Sequence, residues 1–183
     1  IGVLVGRNGR VKGDIEERCG VALLVDSKTG EVLIKSRKPV SEMQPLKAVE
    51  VVTAIAKGFS PERAFRLLEE EFVLDIMDLR DYTGKSENAL TRIKGRIIGL
   101  GGKSRRIIEE LTDASISIYG HTVSIIGRVE DVKQAREAVE LLASGSPHHS
   151  VYKTLQRART KAKLERLKLW EEETSGQSTG FIR

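Results

Sequence analysis

The chain has 183 residues, 39% of them hydrophobic, and 31 Lys and Arg against 26 Asp and Glu, for a formal charge of +5. That length suits two small domains better than one, and no apolar run approaches the roughly twenty residues of a membrane span. With a lone Cys19, which excludes an internal disulfide, and no secretory signal after Ile1, the expected setting is soluble and cytoplasmic.

In chain order, residues 1–5 read as a short, truncated helix ahead of the turn Gly6-Arg7-Asn8-Gly9, and Val11 and Ile15 are spaced for a second helix. Cys19 falls between that helix and a strand at 21–25, as a small packing residue. A second strand is expected over 32–35, then a loop at 37–44 (RKPVSEMQ). Residues 45–57 form a helix stopped by Gly58, and Ser60-Pro61 caps another, to residue 71, placed as the connector between two domains. Residues 72–79 (FVLDIMDL) read as a strand, with helix as the alternative. Ser86 opens a helix to Ile98, with Ala89, Leu90, Ile93 and Ile97 at helical spacing. A glycine turn follows, then a helix from Lys103 and strands at 115–119 and 123–127 about the turn Tyr119-Gly120-His121-Thr122. The helix expected at 130–143 puts Val132, Ala135, Val139 and Leu142 on one face. Beyond Gly145-Ser146-Pro147, residues 151–170 carry seven Lys or Arg and a single Glu165, a basic helix with Leu155, Leu164 and Leu167 for docking and a second contact to nucleic acid by charge. Residues 174–183 read as a flexible tail.

The second glycine turn sits in "KGRIIGLGGKS", Lys94 to Ser104. The phosphate-loop template fits Gly102-Lys103-Ser104 but needs a glycine where Ile97 stands, and a strand where a helix enters. The dinucleotide fingerprint fails on the same context. Instead, a shift of 93 positions without a gap aligns Gly2 with Gly95, Gly6 with Gly99, Gly9 with Gly102, Ile15 with Ile108 and Glu16 with Glu109. Both copies continue as helix, strand, strand, helix, so the chain contains an internal duplication.

Positive charge gathers at both turns. Between Arg92 and Arg106 there are six cations (Arg92, Lys94, Arg96, Lys103, Arg105 and Arg106) and no acid, and Arg7, Arg10 and Lys12 precede Asp14 in the first copy. Catalytic signals are poor. His121, His148 and His149 have no cysteine partners or zinc-binding spacing, and Asp75 and Asp78 would point to opposite faces of a strand, so no metal site, cofactor or catalytic residue is expected.

The repeated helix, G-x-x-G, helix, strand, strand, helix unit resembles the KH domain, a module whose G-x-x-G loop clamps the backbone of about four nucleotides of single-stranded RNA or DNA. The resemblance implies an α+β fold of two tandem type I (eukaryotic-type) KH domains, each a three-stranded antiparallel sheet backed by three helices, plus a basic C-terminal helix. The expected division is 1–58 for the first domain, with its N-terminal strand absent; 59–71 for the connector; 72–145 for the second domain; 146–173 for the basic extension; and 174–183 for the tail. The expected RNA-binding set is Gly99, Leu100, Gly101, Gly102 and Ser104 in the second loop, with Lys94, Arg96, Lys103, Arg105 and Arg106 for phosphates. Ile98, Ile108 and Ile116, with Ile97, would floor an apolar groove, and Gly6, Arg7, Asn8, Gly9, Arg10 and Lys12 would form the first loop's site. Tyr119 and His121 are candidates to stack on a base, with a plain hairpin turn the alternative.

"RIKGRIIG", the helix from Ser104 to Glu110 and Val151-Tyr152 at the basic helix look, more narrowly, like the two-KH ribosome-assembly factors that partner the Nob endonuclease. This resemblance implies binding to small-subunit ribosomal RNA near its 3′ end, no catalysis, and endonuclease and translation-initiation-factor partners. One departure is Leu100-Gly101, where that family often has a polar or charged residue; the intact first loop is another.

Overall fold

The computed structural model describes residues 2–26, 28–36, 44–84 and 86–177. Most of the expected 37–44 loop and residues 178–183 lie outside the described residues. The elements are α1 (Gly2–Val5), α2 (Arg10–Cys19), β1 (Val21–Val25), β2 (Val32–Ser36), α3 (Pro45–Ala56), α4 (Pro61–Ala64), β3 (Phe72–Asp78), α5 (Arg80–Thr83), α6 (Glu87–Ile98), α7 (Lys103–Thr112), β4 (Ser115–Tyr119), β5 (Thr122–Arg128), α8 (Val129–Ala143) and α9 (His148–Gln177). Local chemistry sets several starts. The Ser60 and Ser86 hydroxyls accept from the amides of Arg63 and Ala89, each satisfying one orphan N–H of a first turn, and Pro45 and Pro61 open their helices where no donor is needed.

Residues 72–78 are a strand, which excludes the helical alternative. β3 pairs antiparallel with β5, and β5 with β4, giving the order β3-β5-β4; Ile125 lies opposite Asp75 on one side and Ile116 on the other. The other sheet, β1 with β2, has two strands among the described residues, against three in a full unit, whose N-terminal strand was expected to be absent here.

Two cores follow from strand alternation. On one face of the three-stranded sheet, Ile116, Val123 and Ile125 pack with Leu90, Ile97, Ile108, Val139 and Leu142 of α6–α8. From the other face, Phe72 and Ile126 join Ile15, Leu23, Val51, Ile55, Phe59 and Leu67 of the N-terminal half. β5 is therefore covered on both sides, and Ser117 Oγ donates across the seam to the carbonyl of Lys57 at 2.8 Å. The segment expected as a helical connector to residue 71 is helical only to Ala64, continues as a 3-10 turn (Phe65–Leu68), and buries Ala64 and Leu67 in the N-terminal core.

α9 docks through Val151 and Leu155, both buried. Leu164 and Leu167, expected to dock, are about half exposed. At 1.5 Å per residue, α9 is about 45 Å long against about 15 Å for α7 and about 22 Å for α8, the helices it packs against. The helix runs to Gln177, past residue 174 where the flexible tail was expected to begin.

Candidate nucleic-acid interface

α6 ends at Ile98, and the chain reverses through Gly99 (φ 72°, ψ 175°), Leu100, Gly101 (56°, 25°) and Gly102 (78°, 13°) before α7 begins at Lys103. Gly99 is in a region essentially restricted to glycine. A Cβ there would lie 2.7 Å from the Cβ and 2.8 Å from the amide nitrogen of Ser104. The first loop repeats the path: Gly6 (72°, 179°), Asn8 (53°, 31°) and Gly9 (75°, 11°), with a Cβ at Gly6 falling 2.5 Å from Val11 Cγ2. The duplication extends to hydrogen bonds, because Glu16 Oε1 accepts from the Leu23 amide (2.7 Å) as Glu109 Oε1 does from the Ile116 amide (2.8 Å), again 93 residues apart.

This turn sets the positive dipole end of α7 at the loop, where it favours a phosphate, with the Lys103 amide itself donating to the Leu100 carbonyl. Leu100 is 95% exposed at the tip. Lys103 is exposed beside it, and exposed Arg106 buttresses the loop by donating to the Gly101 carbonyl at 2.8 Å. Arg105 is half-buried, with Nε 3.7 Å from Glu109 Oε2, and Lys94 Nζ reaches from α6 to the Gly120 carbonyl at 3.1 Å. In the first loop Arg7, Asn8 and Arg10 are exposed, while Lys12 lies 3.9 Å from Glu16.

Not every expected residue reaches this surface. The Arg96 guanidinium donates to the carbonyls of Leu142 (3.1 Å) and Ser146 (2.7 Å), holding α6 to the end of α8, so two of its donors are already engaged as a tie between helices. Ile97, Ile108 and Ile116 are at most 1% exposed and belong to the core, not to a groove floor. At about 100° per residue only one of Ile97 and Ile98 can face inward, and Ile98 is the exposed one. Ile98 is exposed on α6, whereas Tyr119, 61% exposed, shares the opposite sheet face with Ser117 and lies 3.6 Å from where a Cβ at Gly58 would stand. His121, half-buried, sits 3.7 Å from Asp78.

Two features escaped the sequence. Gly95 is exposed, with nothing within 4 Å of where a Cβ would stand, so it leaves bare helix beside the loop; its alignment with Gly2 was the one signal for it. The first turns of α9 bring His148 and Tyr152 against the loop's other flank, a contact with no local signature.

The carboxylates of β3 have partners. Both Asp75 oxygens accept from Arg136 at 2.8 Å, and Asp78 is held by the side chain and amide of Arg80, which keep its carboxyl down at about 2. Among the described residues no group of three or more His, Cys, Asp or Glu could hold a metal, and no helix is long and apolar enough to cross a membrane.

Residues 73–160 match a family model described as eukaryotic type KH-domain (KH-domain type I). A KH domain-containing protein of Methanocaldococcus jannaschii is 44% identical over 174 residues, covering 95% of this chain and 76% of that relative. The RNA-binding protein PNO1 of Oryzias latipes is 32% identical over 140 residues, covering 75% of this chain and 58% of that one. A chain in the crystal structure of an a/eIF2alpha–aDim2p–rRNA complex from Pyrococcus horikoshii aligns with a TM-score of 0.80 at 47% identity, covering 88% of this chain and 89% of that chain. A glycine loop fixed by Ser104, a helix dipole behind it and relatives of this extent agree: the chain belongs to the PNO1-type KH-domain family.

Proposed function

We propose that this protein binds single-stranded RNA through two tandem type I KH domains, residues 1–58 and 72–145 joined by 59–71, and that the RNA is small-subunit ribosomal RNA near its 3′ end during ribosome assembly or pre-rRNA processing. It acts as a binding protein, without chemistry of its own, in the cytoplasm. The observation that carries the reading is the 99–102 loop: a turn opened at Gly99 by a backbone conformation that only glycine takes, a tip exposed at Leu100, and Lys94, Lys103, Arg105 and Arg106 around it. Support comes also from the rRNA named with aDim2p and from relatives called pre-rRNA-processing proteins.

The test is fluorescence anisotropy of a labelled 3′-end rRNA against a scrambled RNA, with wild type, Leu100→Asp and Gly101→Asp. Both substitutions stand at exposed sites, and a Cβ at Gly101 meets nothing within 4 Å, so a carboxylate enters the phosphate path while the fold is kept. A loss of tenfold or more in both variants is expected. Four phosphate contacts at a slope of about −0.7 each predict about fiftyfold weaker binding between 50 and 200 mM salt. Affinity flat across that range would refute the electrostatic part.

Docking of a protein partner, an initiation-factor subunit or an endonuclease, is a second reading, favoured by one feature. Leu24 and Leu33, a cross-strand pair in β1 and β2, are 50% and 54% exposed. Leu33→Asp should abolish capture of such a partner and leave RNA affinity intact; unchanged capture would exclude this face.

A further inference from the structure

Lys94 and Ile98 lie on one flank of α6, Arg92 and Arg96 on the other, with exposed Gly95 between. On the Arg92 flank, between the glycine loop and the first turns of α9, an open pocket of about 670 Å³ is walled by Gly95, Gly99, Leu100, Ser104, His148 and Tyr152. Its mouth carries the exposed cations Arg92 and Lys103. The wall is held in place. Carbonyls only accept, so His148 Nε2 must carry the proton it donates to the Arg96 carbonyl at 2.9 Å, and Arg96 is itself tied to Leu142 and Ser146. The His148 and Tyr152 rings stand 6.0 Å apart, tilted by 59°. Within the wall Ser104 is 2% exposed, and its hydroxyl has no hydrogen-bond partner among the described residues.

Each component restricts the ligand. A bare anion has no use for an apolar, aromatic wall, and a hydrocarbon has none for two cations; a nucleotide, with a flat base and a phosphate, uses both. A strand whose backbone lies over Gly95 and the loop has this pocket as its next step on the α9 side. We propose that the pocket is a subsite for one further nucleotide of the bound RNA, its base against Tyr152 and its phosphate between Arg92 and Lys103. This subsite extends the RNA-binding reading above and rests on it.

The experiment trims the 3′-end rRNA to the shortest length that wild-type protein binds, then adds one nucleotide at either end, as a normal or an abasic residue, and measures affinity by anisotropy. Addition at one end should tighten binding about tenfold, within the range for one base–aromatic stack, and the abasic addition should not. Tyr152→Leu, which keeps an apolar side chain against the core, and Arg92→Ala should each remove that gain while binding the trimmed RNA as wild type does. If neither end gives a gain, or the gain persists in both variants, the subsite is refuted and the RNA-binding reading stands. If the wild type binds no RNA, both fall. Should Tyr152→Leu fail to fold, Arg92→Ala decides alone, because Arg92 is exposed and its side chain, among the described residues, donates to the Asn88 carbonyl of its own helix.

Discussion

Gly99→Ala and Gly101→Asn, two substitutions in one loop two residues apart, should have opposite consequences for folding. At Gly99 the backbone is in a glycine-only region, and the new methyl group would sit 2.7 Å from Ser104 Cβ on a buried residue that cannot swing away. Backbone strain of about 1–3 kcal/mol and overpacking of about 1–3 kcal/mol are offset by less than about 1 kcal/mol from a stiffer unfolded chain. The net cost is about 2–5 kcal/mol. With a urea dependence of about 2 kcal/mol per molar, the midpoint should fall by about 1–2.5 M. Gly101 is in the ordinary left-handed region with open space around it, and Asn8 already occupies the matching place in the first loop at nearly the same angles. Gly101→Asn should therefore stay within about 0.5 kcal/mol of wild type. The assay is equilibrium urea unfolding followed by far-UV circular dichroism. Equal midpoints for Gly99→Ala and wild type, or equal losses in the two variants, would refute the claim that Ser104 packing dictates the first glycine.

Cys19 is fully buried, and burial pushes its thiol up against the weaker pull of Arg18, so a thiol reagent should label the protein only after unfolding; labelling of the native form at the unfolded rate would contradict its placement. Asp78 is held at about 2 by Arg80. A depressed carboxylate contributes stability above its unfolded value, near 4, that disappears as pH falls through the folded value near 2. Arg80→Ala should raise the Asp78 carboxyl titration in NMR and flatten the acid limb of the stability curve between those limits, and an unmoved titration would exclude Arg80 as the cause. Arg96→Met removes the donors to Leu142 and Ser146 and should cost about 1.5–3 kcal/mol in equilibrium urea unfolding; an unchanged midpoint would exclude these bonds as the tie between α6 and α8.

What could be read in the sequence was local or repeated. Ser60 and Ser86 marked helix starts through bonds closed within one turn, Pro45 and Pro61 by needing no donor there, and the 93-residue shift exposed a duplication that persists in torsion angles and in the paired Glu16 and Glu109 bonds. What escaped depends on distant partners. Arg96 lies within a run of cations and is chemically indistinguishable from them until the Leu142 and Ser146 carbonyls, about fifty residues away, arrive beside it. Ile108 and Ile116 are apolar, as a groove floor would be, and apolarity alone does not tell a floor from the core beneath it. The 3-10 turn at Phe65–Leu68 has no breaker residue to announce it, and its packing in the N-terminal core accompanies a departure that helical periodicity missed.

The duplication also separates backbone from chemistry. Both loops share one path, yet the tip is Arg7-Asn8 in one and Leu100-Gly101 in the other, so any difference in what they hold comes from side chains and surroundings, not from the turn. The surroundings differ in one decisive respect. The second sheet is covered on both faces, with Ile125 in one core and Ile126 in the other, whereas the first leaves Leu24 and Leu33 open. A loop mounted on a doubly covered sheet, with α6 tied to α8 through Arg96 and to the β4–β5 turn through Lys94, loses little freedom when a strand of RNA settles on it. The first loop's unit keeps Leu24 and Leu33 exposed among the described residues, so two copies of one repeat with the same loop path differ in what covers their sheets.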